Sequence, residues 1–351
     1  MHFESDNSGP AHPSVLEALA QANRGYAGSY GGDDLTGRVR DRIREIFEAP
    51  EAAVYLVATG TAANALGLAT ICEPYQTVLC HPIAHIEEDE CGAPEFFTGG
   101  AKLTHVPGEN GKIAGRALAQ AIAGCRQGFV HAVQRGPLSI SQATETGTVY
   151  ALGELYALTG QARDAGMKVH MDGARFANAL ASLGCTPAEM SWKAGVDVLS
   201  FGGTKNGLLA AEAVVIFDPG LAWEFELRRK RAGHLFSKYR VLSAQFDAYL
   251  AGDLWLKLAA DANTCAGALA EGLAQVDGTR LVYPPDANMV FFEAHADRHR
   301  ALRAAGARYH LWPAGAALEG AGDAPVAARL VCGWSTGAAE VDGFLTALRA
   351  A

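Results

Sequence analysis

Apolar residues follow two alternating rhythms along this chain. From about residue 52, short runs of nearly continuous apolar character recur: AVYLVA (53–58), TVLC (77–80), KLTHV (102–106), FVHAV (129–133), KVHMD (168–172), VDVLSF (196–201) and AVVIF (213–217). Stretches with helical spacing, such as 150–164, lie between them. Strands this apolar, alternating with helices, predict a largely parallel sheet covered on both faces. Upstream, 14–23 and 36–48 are predicted helices. In the second, Val39, Ile43, Ile46 and Phe47 share one face, with Arg and Asp between them. The first thirteen residues, broken by Gly9-Pro10 and Pro13, read as an extended arm.

After Arg240 the texture changes. An Ala/Leu-rich helical segment (241–276) leads into RLVYPP, NMVFFEA and ARLVCGW, with helices between and after them. This predicts an arm over 1–13, a large α/β domain over 14–244 and a smaller α+β domain over 245–351. No repeat or low-complexity linker separates them, so close packing is expected.

Composition narrows the classes. The 351 residues are 49% hydrophobic and carry a formal charge of −9, which disfavours a nucleic-acid partner. Seven cysteines without a CxxC pair predict reduced thiols and a cytoplasmic setting. The polar start MHFESDNSGP has no signal-peptide core. Residues 52–71 are uncharged over a spanning length, but Thr59-Gly60-Thr61 and Asn64 interrupt them, predicting a strand, a turn and a helix rather than a membrane span.

Four stretches at or near predicted strand ends could carry chemistry, because open α/β sheets bind ligands there. In ATGTAAN (58–64), Gly60 and Thr61 open a helix whose free N–H groups suit a phosphate; a plain capped turn is the bland alternative. It is neither a Walker loop nor a GxGxxG fingerprint. HMDGARF (170–176) places Asp172 at a strand end, with Arg175 just beyond. In SFGGTKNGLL (200–209), Lys205 sits among glycines as a phosphate clamp, a surface residue or an imine-forming amine. CHPIAHIEEDEC (80–91) has the look of a metal cluster, but Pro82 interrupts the helix that would align His81 with His85, so no metal site is expected.

Together these signals meet the needs of pyridoxal 5′-phosphate: a lysine, a phosphate cradle, a carboxylate for the pyridine nitrogen and a group packed on the ring. With SDN (5–7), GDDLTG (32–37), TGTAAN (59–64), AHIEEDECGAPEFF (84–97), SISQATETGTVY (139–150), HMDGARFANA (170–179), FGGTKNG (201–207), RRKRAGHLFSK (228–238) and ARLVCGW (328–334), the chain closely resembles the low-specificity L-threonine aldolases. These are fold-type-I enzymes of the aspartate-aminotransferase superfamily.

The resemblance implies Lys205 as the imine-forming lysine, Asp172 on the pyridine nitrogen, His85 on the ring, and Gly60, Thr61 and Thr204 at the phosphate. It implies Ser5, Arg175 and Arg329 around the substrate carboxylate or the cofactor's phenolate side. A basic residue from a neighbouring subunit would reach the phosphate, with Lys230 the best match and Arg229, Arg231 and Lys238 as rivals. A homo-oligomer, dimer or tetramer, follows from sites lying between subunits. The implied reaction is retro-aldol cleavage of a β-hydroxy-α-amino acid such as threonine, allo-threonine or phenylserine. His85, or a water held by His85 and Glu90, would take the hydroxyl proton, with Glu145 as a further candidate.

Two positions depart from the family pattern. Glu145 in SQATETG stands where many relatives carry a histidine, and Thr36 in GDDLTG where many carry a tyrosine. Both concern the substrate's side-chain end, so the aldehyde and the β-carbon configuration stay open. A β-eliminating lyase or racemase on the same scaffold is the nearest alternative; a nucleotide-dependent oxidoreductase lacks its GxGxxG.

Overall fold

The computed structural model describes residues 1–313, 315–319 and 324–351. The apolar runs become β1 (Ala53–Val57), β2 (Gln76–Cys80), β3 (Lys102–His105), β4 (Gln134–Ser141), β5 (Val169–Gly173), β6 (Val198–Phe201) and β7 (Glu212–Ile216). They form one sheet in the order β1-β7-β6-β5-β4-β2-β3. Only β7 runs antiparallel, to both β1 and β6. Because β7 opposes both, β1 points the same way as β6, and the carboxyl ends of β1, β2, β4, β5 and β6 share one edge.

The sequence placed one strand wrongly. FVHAV is not a strand: Val130 is 88% exposed, and residues 129–133 form turns. The strand follows it as QRGPLSIS, with Leu138 and Ile140 buried. Pro137 and Gly136 made that segment read as a break. There Gly136 is held close to β2; a Cβ on it would lie 2.7 Å from the Thr77 carbonyl. The helical segment predicted over 241–276 is also two helices, Arg240–Leu250 and Leu254–Ala274. The break falls at Gly252 and Asp253, both in the left-handed region.

A second antiparallel sheet joins β8 (Arg280–Leu281), β9 (Met289–His295), β10 (His310–Trp312) and β11 (Pro325–Val331) in the order β10-β11-β9-β8. Among several hydrophobic clusters, the largest packs against the seven-stranded sheet, and the next gathers Leu269, Val290, Phe292, Leu330 and Phe344. The helix Leu254–Ala274 joins them, giving Trp255 and Ala259 to the first and Ala266 and Leu273 to the second.

The arm is less extended than its prolines suggest. Phe3 pairs with β11 through Val331 N–H (2.9 Å) and is fully buried against Phe344. A 3-10 turn, Asp6–Ser8, then carries Asp6 into the interior. Among the described residues no helix is long and apolar enough to cross a membrane, and none of the seven cysteines is in a disulfide.

Candidate active site

Five segments leave the shared sheet edge and converge. Thr59-Gly60 follows β1, His85 follows β2, Glu145 follows β4, Asp172 lies at the end of β5, and Lys205 follows β6. Thr59, rather than Thr61, caps the helix Gly60–Ile71, its hydroxyl accepting from Ala62 N–H at 3.1 Å. That leaves the Thr61 hydroxyl and the N–H groups of Gly60 and Thr61 without acceptors among the described residues. A Cβ at Gly60 would meet nothing within 4 Å, so the space before these groups is open.

Asp172 is buried. One oxygen accepts from Ala174 N–H at 2.9 Å and the other from the Asn64 amide at 2.8 Å. Burial works to raise its pKa, but His85, Lys205 and these hydrogen bonds outweigh it and hold the carboxyl below its usual range. The Asn64 amide also donates to Glu90 at 2.8 Å, so its two hydrogens serve two buried carboxylates. The sequence marks Asn64 only as an interruption of the uncharged stretch 52–71; its place one turn into a helix that starts at the sheet edge is the signal that points to the site.

Glu90 accepts from His85 Nδ1 at 2.8 Å. Donation from Nδ1 leaves Nε2 of the neutral ring as the acceptor facing the cleft. The hydrogen bond to Glu90 raises the His85 pKa, and burial only partly opposes it. Burial pushes Glu90 up, against the His85 and Asn64 bonds. His85, Glu90 and Asp172 bring ligand-type atoms within 4.8 Å of one another. Hydrogen bonds account for this cluster, since the Asn64 amide occupies the position between the two carboxylates. His81 is turned elsewhere, to the Gly108 carbonyl at 3.3 Å.

Lys205 is partly buried on the turn Thr204–Asn206, and its amine has no hydrogen-bond or ion-pair partner among the described residues. Glu145 is partly accessible and has no hydrogen bond to another described side chain; burial raises its pKa despite Lys205 and Arg175. Arg175 is committed to the arm, donating to Asp6 at 2.8 and 3.0 Å. Ser5 caps the same 3-10 turn through Asn7 N–H. Arg329 stands differently. Its Nη2 reaches the Glu4 carbonyl at 3.4 Å, while its buried Nε has no acceptor. With Glu145, Asp89, Ile83, Arg303 and Trp312, Arg329 lines a cavity of about 1110 Å³.

Of the basic candidates for a neighbouring phosphate, Arg229 is turned inward. It is 3% exposed, donates to the Tyr239 hydroxyl at 2.7 Å and stacks over Tyr55. Lys230 is exposed over Tyr30, and Arg231 and Lys238 are exposed too. Thr36 is buried, bonded to Asp33 and Ser243, and does not line the cavity with Glu145.

The beta-eliminating lyase family matches residues 2–297. The low specificity L-threonine aldolase of Pseudomonas aeruginosa is 45% identical over 95% of this chain and 93% of its own. That of a Pseudomonas species is 42% identical over 99% and 97%. The chain belongs to the low-specificity L-threonine aldolase family. A solved structure of Leishmania major threonine aldolase superposes with a TM-score of 0.91 at 28% identity, covering 99% of this chain and 98% of that one. The fold is α/β, of the fold-type-I class.

The site's residues fit the family's cofactor on their own terms. An amine without a partner, an ionised buried carboxylate, a half-buried imidazole and open helix N–H groups stand around one cleft. A pyridine ring needs the middle two and a phosphate the last. The departure at Glu145 keeps its interest, because this carboxyl lies beside Arg329 on the cavity wall.

Proposed function

We propose that the protein cleaves β-hydroxy-α-amino acids of the threonine type to glycine and an aldehyde, with pyridoxal 5′-phosphate as cofactor. The observation that carries this reading is the convergence of Lys205, Asp172 and His85 on one sheet edge, in a chain 45% identical to a curated relative of that name. When bound, the cofactor supplies an aldehyde for amines to condense with and a ring that accepts the electron pair left on Cα.

The chain's residues do the rest. Lys205 offers the condensing amine and is free to exchange with the substrate's. Asp172, ionised and fixed by Asn64 and Ala174, holds a proton on the ring nitrogen. Gly60, Thr61 and Thr204 surround the phosphate. Arg329 binds the substrate carboxylate through its unsatisfied Nε, in charge-assisted hydrogen bonds. Arg175 takes part indirectly, by holding Asp6 and hence Ser5 at the rim. His85 Nε2 accepts the β-hydroxyl proton, with Glu90 supporting the imidazolium that forms. Glu145 lies where the β-substituent leaves and contacts the hydroxyl or the departing aldehyde oxygen.

The site is completed in a cytoplasmic homo-oligomer, a dimer or a dimer of dimers, in which Lys230 of one subunit reaches the next. Exposed Trp223 and Leu227, on the helix that carries Lys230, supply apolar area for such contact. A panel of threonine, allo-threonine and phenylserine, with glycine and aldehyde quantified, tests the reading. Ammonia and a keto acid as the main products would instead make it an eliminating lyase. Lys205→Ala should lose both turnover and the absorption of lysine-bound cofactor.

A further inference from the structure

Glu212 opens β7. Its strand register sets it opposite Val57, the last residue of β1, while its neighbour Ala213 pairs with Phe201, the last of β6. It therefore lies beneath two turns at once, the one that leads to Gly60 and the one that carries Lys205. The side chain is buried and, among the described residues, has no arginine or lysine in ion-pair contact. One carboxyl oxygen accepts from Gly203 N–H at 2.6 Å, and the Thr204 backbone and hydroxyl also donate to the carboxyl. The Thr204 hydroxyl in turn accepts from Ala211 N–H at 3.2 Å.

A turn held this way has little play. A Cβ on Gly203 would lie 2.7 Å from the Ala211 carbonyl, and one on Gly202 2.3 Å from the Ala174 carbonyl. The backbone before Lys205 is thus wedged between β7 and the loop after β5. A buried carboxyl is an expensive way to fasten a turn, since an apolar residue would not need desolvated hydrogen-bond partners. Its charge also reaches the lysine amine.

We propose that Glu212 is a positioning residue for Lys205, fixing the turn that carries the lysine and placing a negative charge beneath its amine. This rests on the reading of Lys205 as the cofactor's anchor and goes beyond it, to how the anchor is held. Burial pushes the Glu212 pKa up to about 7, against its hydrogen bonds and Lys205. The charge near the lysine therefore grows as pH rises. Other groups face the amine from their own elements: Asp6 from the arm, Glu145 from the loop after β4, Asp172 from β5 and His85 from the helix after β2.

Glu212→Gln keeps the shape and removes the charge. Two measurements on it decide the matter, neither of them turnover. In the cofactor-free protein, amide exchange of a peptide spanning 202–206 should accelerate, with the β5 and β9 amides unchanged. In the protein loaded with pyridoxal 5′-phosphate, the pH midpoint of the bound cofactor's absorption should fall by roughly one unit as the charge is removed. An unmoved midpoint overturns the proposal even if exchange accelerates, because a merely structural carboxyl would loosen the turn alone. If the Gln variant does not fold, Glu212→Asp, which withdraws the charge by one methylene, should displace the same midpoint. An unmoved midpoint there overturns the proposal as well. Failure of the Lys205 reading is separately visible, since wild-type protein would then show no absorption that Lys205→Ala abolishes.

Discussion

Replacing Asp6 by alanine removes the only acidic partner in hydrogen-bond contact with the buried Arg175 guanidinium among the described residues. Asp6 is 6% exposed and accepts from Arg175 Nε at 2.8 Å, Arg175 Nη2 at 3.0 Å and the Asn288 amide at 3.0 Å. Taking one partner from a buried pair costs about 3–5 kcal/mol, because the remaining charge keeps its desolvation penalty. Glu145 and Asp172 still attract the guanidinium, which favours the lower end, about 3 kcal/mol. The arm can also detach without global unfolding, so the global loss is capped by what the arm contributes. Two readouts separate these cases: urea unfolding at fixed cofactor concentration, and amide exchange of Phe3 and Ser8, both hydrogen-bonded in the native arm. The pH dependence has a definite sign. Burial raises the Asp6 pKa, but Arg175 and Lys205 outweigh it and the folded value is lowered. The stabilisation is therefore fully present above the ordinary carboxylate range and is lost as pH falls through the folded value. The gap between wild type and variant should be flat from pH 5 to 8, roughly, and close only in strong acid. A loss under about 1 kcal/mol, with no faster exchange at Phe3 and Ser8, would refute the assignment of Asp6 as the clamp on Arg175.

Three further outcomes are expected. Gly203→Ala places a Cβ 2.4 Å from Leu208 Cδ1 and 2.7 Å from the Ala211 carbonyl, so the lysine turn must shift. Turnover should fall by about 100-fold for a stability cost of about 1–3 kcal/mol, and a variant within twofold of wild-type kcat would show that the turn's position is not critical. Asn64→Leu strips the shared donor from Glu90 and Asp172, at about 1–3 kcal/mol, and raises both pKa values by leaving like charges together. Glu90, already raised in the native protein, should then cost the variant more stability as pH rises through its folded value, and thermal melts across pH check it. The His85 pKa lies above its ordinary 6.5, chiefly through Glu90, so the acid limb of kcat should lie above 6.5 and move down in Glu90→Gln. A limb that does not move would take the His85–Glu90 pair out of the proton transfer.

Much of this fold could be read from the apolar runs, because strands buried on both faces need apolar residues at every position. Six of the seven runs fall on strands of the large sheet. The failure at 129–133 has the same physics in reverse. Phe129 and Val130 are apolar but stand exposed, whereas Gly136 and Pro137 sit inside β4 because close approach to β2 requires the glycine. Site residues were legible where a motif couples a strand end to an unusual group, as at Asp172, Lys205 and His85. Asn64, Asp6 and Glu212 were not, since each acts through partners 26 to 282 residues away in sequence or through backbone N–H groups. No local pattern distinguishes an asparagine that bridges two carboxylates from one that caps a turn.

The charge inventory explains why the two arginines differ. Asp6 satisfies Arg175 at both Nε and Nη2, so a substrate carboxylate would have to displace a buried ion pair to use it. Among the described residues Arg329 has no such partner, keeps an unsatisfied buried Nε, and opens on the cavity. Burial, and Arg175 nearby, hold its pKa below the usual value, although Asp6, Glu145 and Asp89 oppose this. On the proposed reading, an arriving carboxylate would remove that penalty, so binding energy would be gained at Arg329 rather than at Arg175. The same carboxylate would meet Glu145 on the cavity wall, and two anions there repel. Burial already raises the Glu145 pKa, so substrate binding favours its protonated form further. A protonated Glu145 can donate a hydrogen bond to the substrate's β-oxygen, where a neutral histidine would accept one. Glu145→Gln, which keeps a donor, should therefore retain more activity on threonine than Glu145→Ala, and equal rates for the two would remove Glu145 from contact with that oxygen.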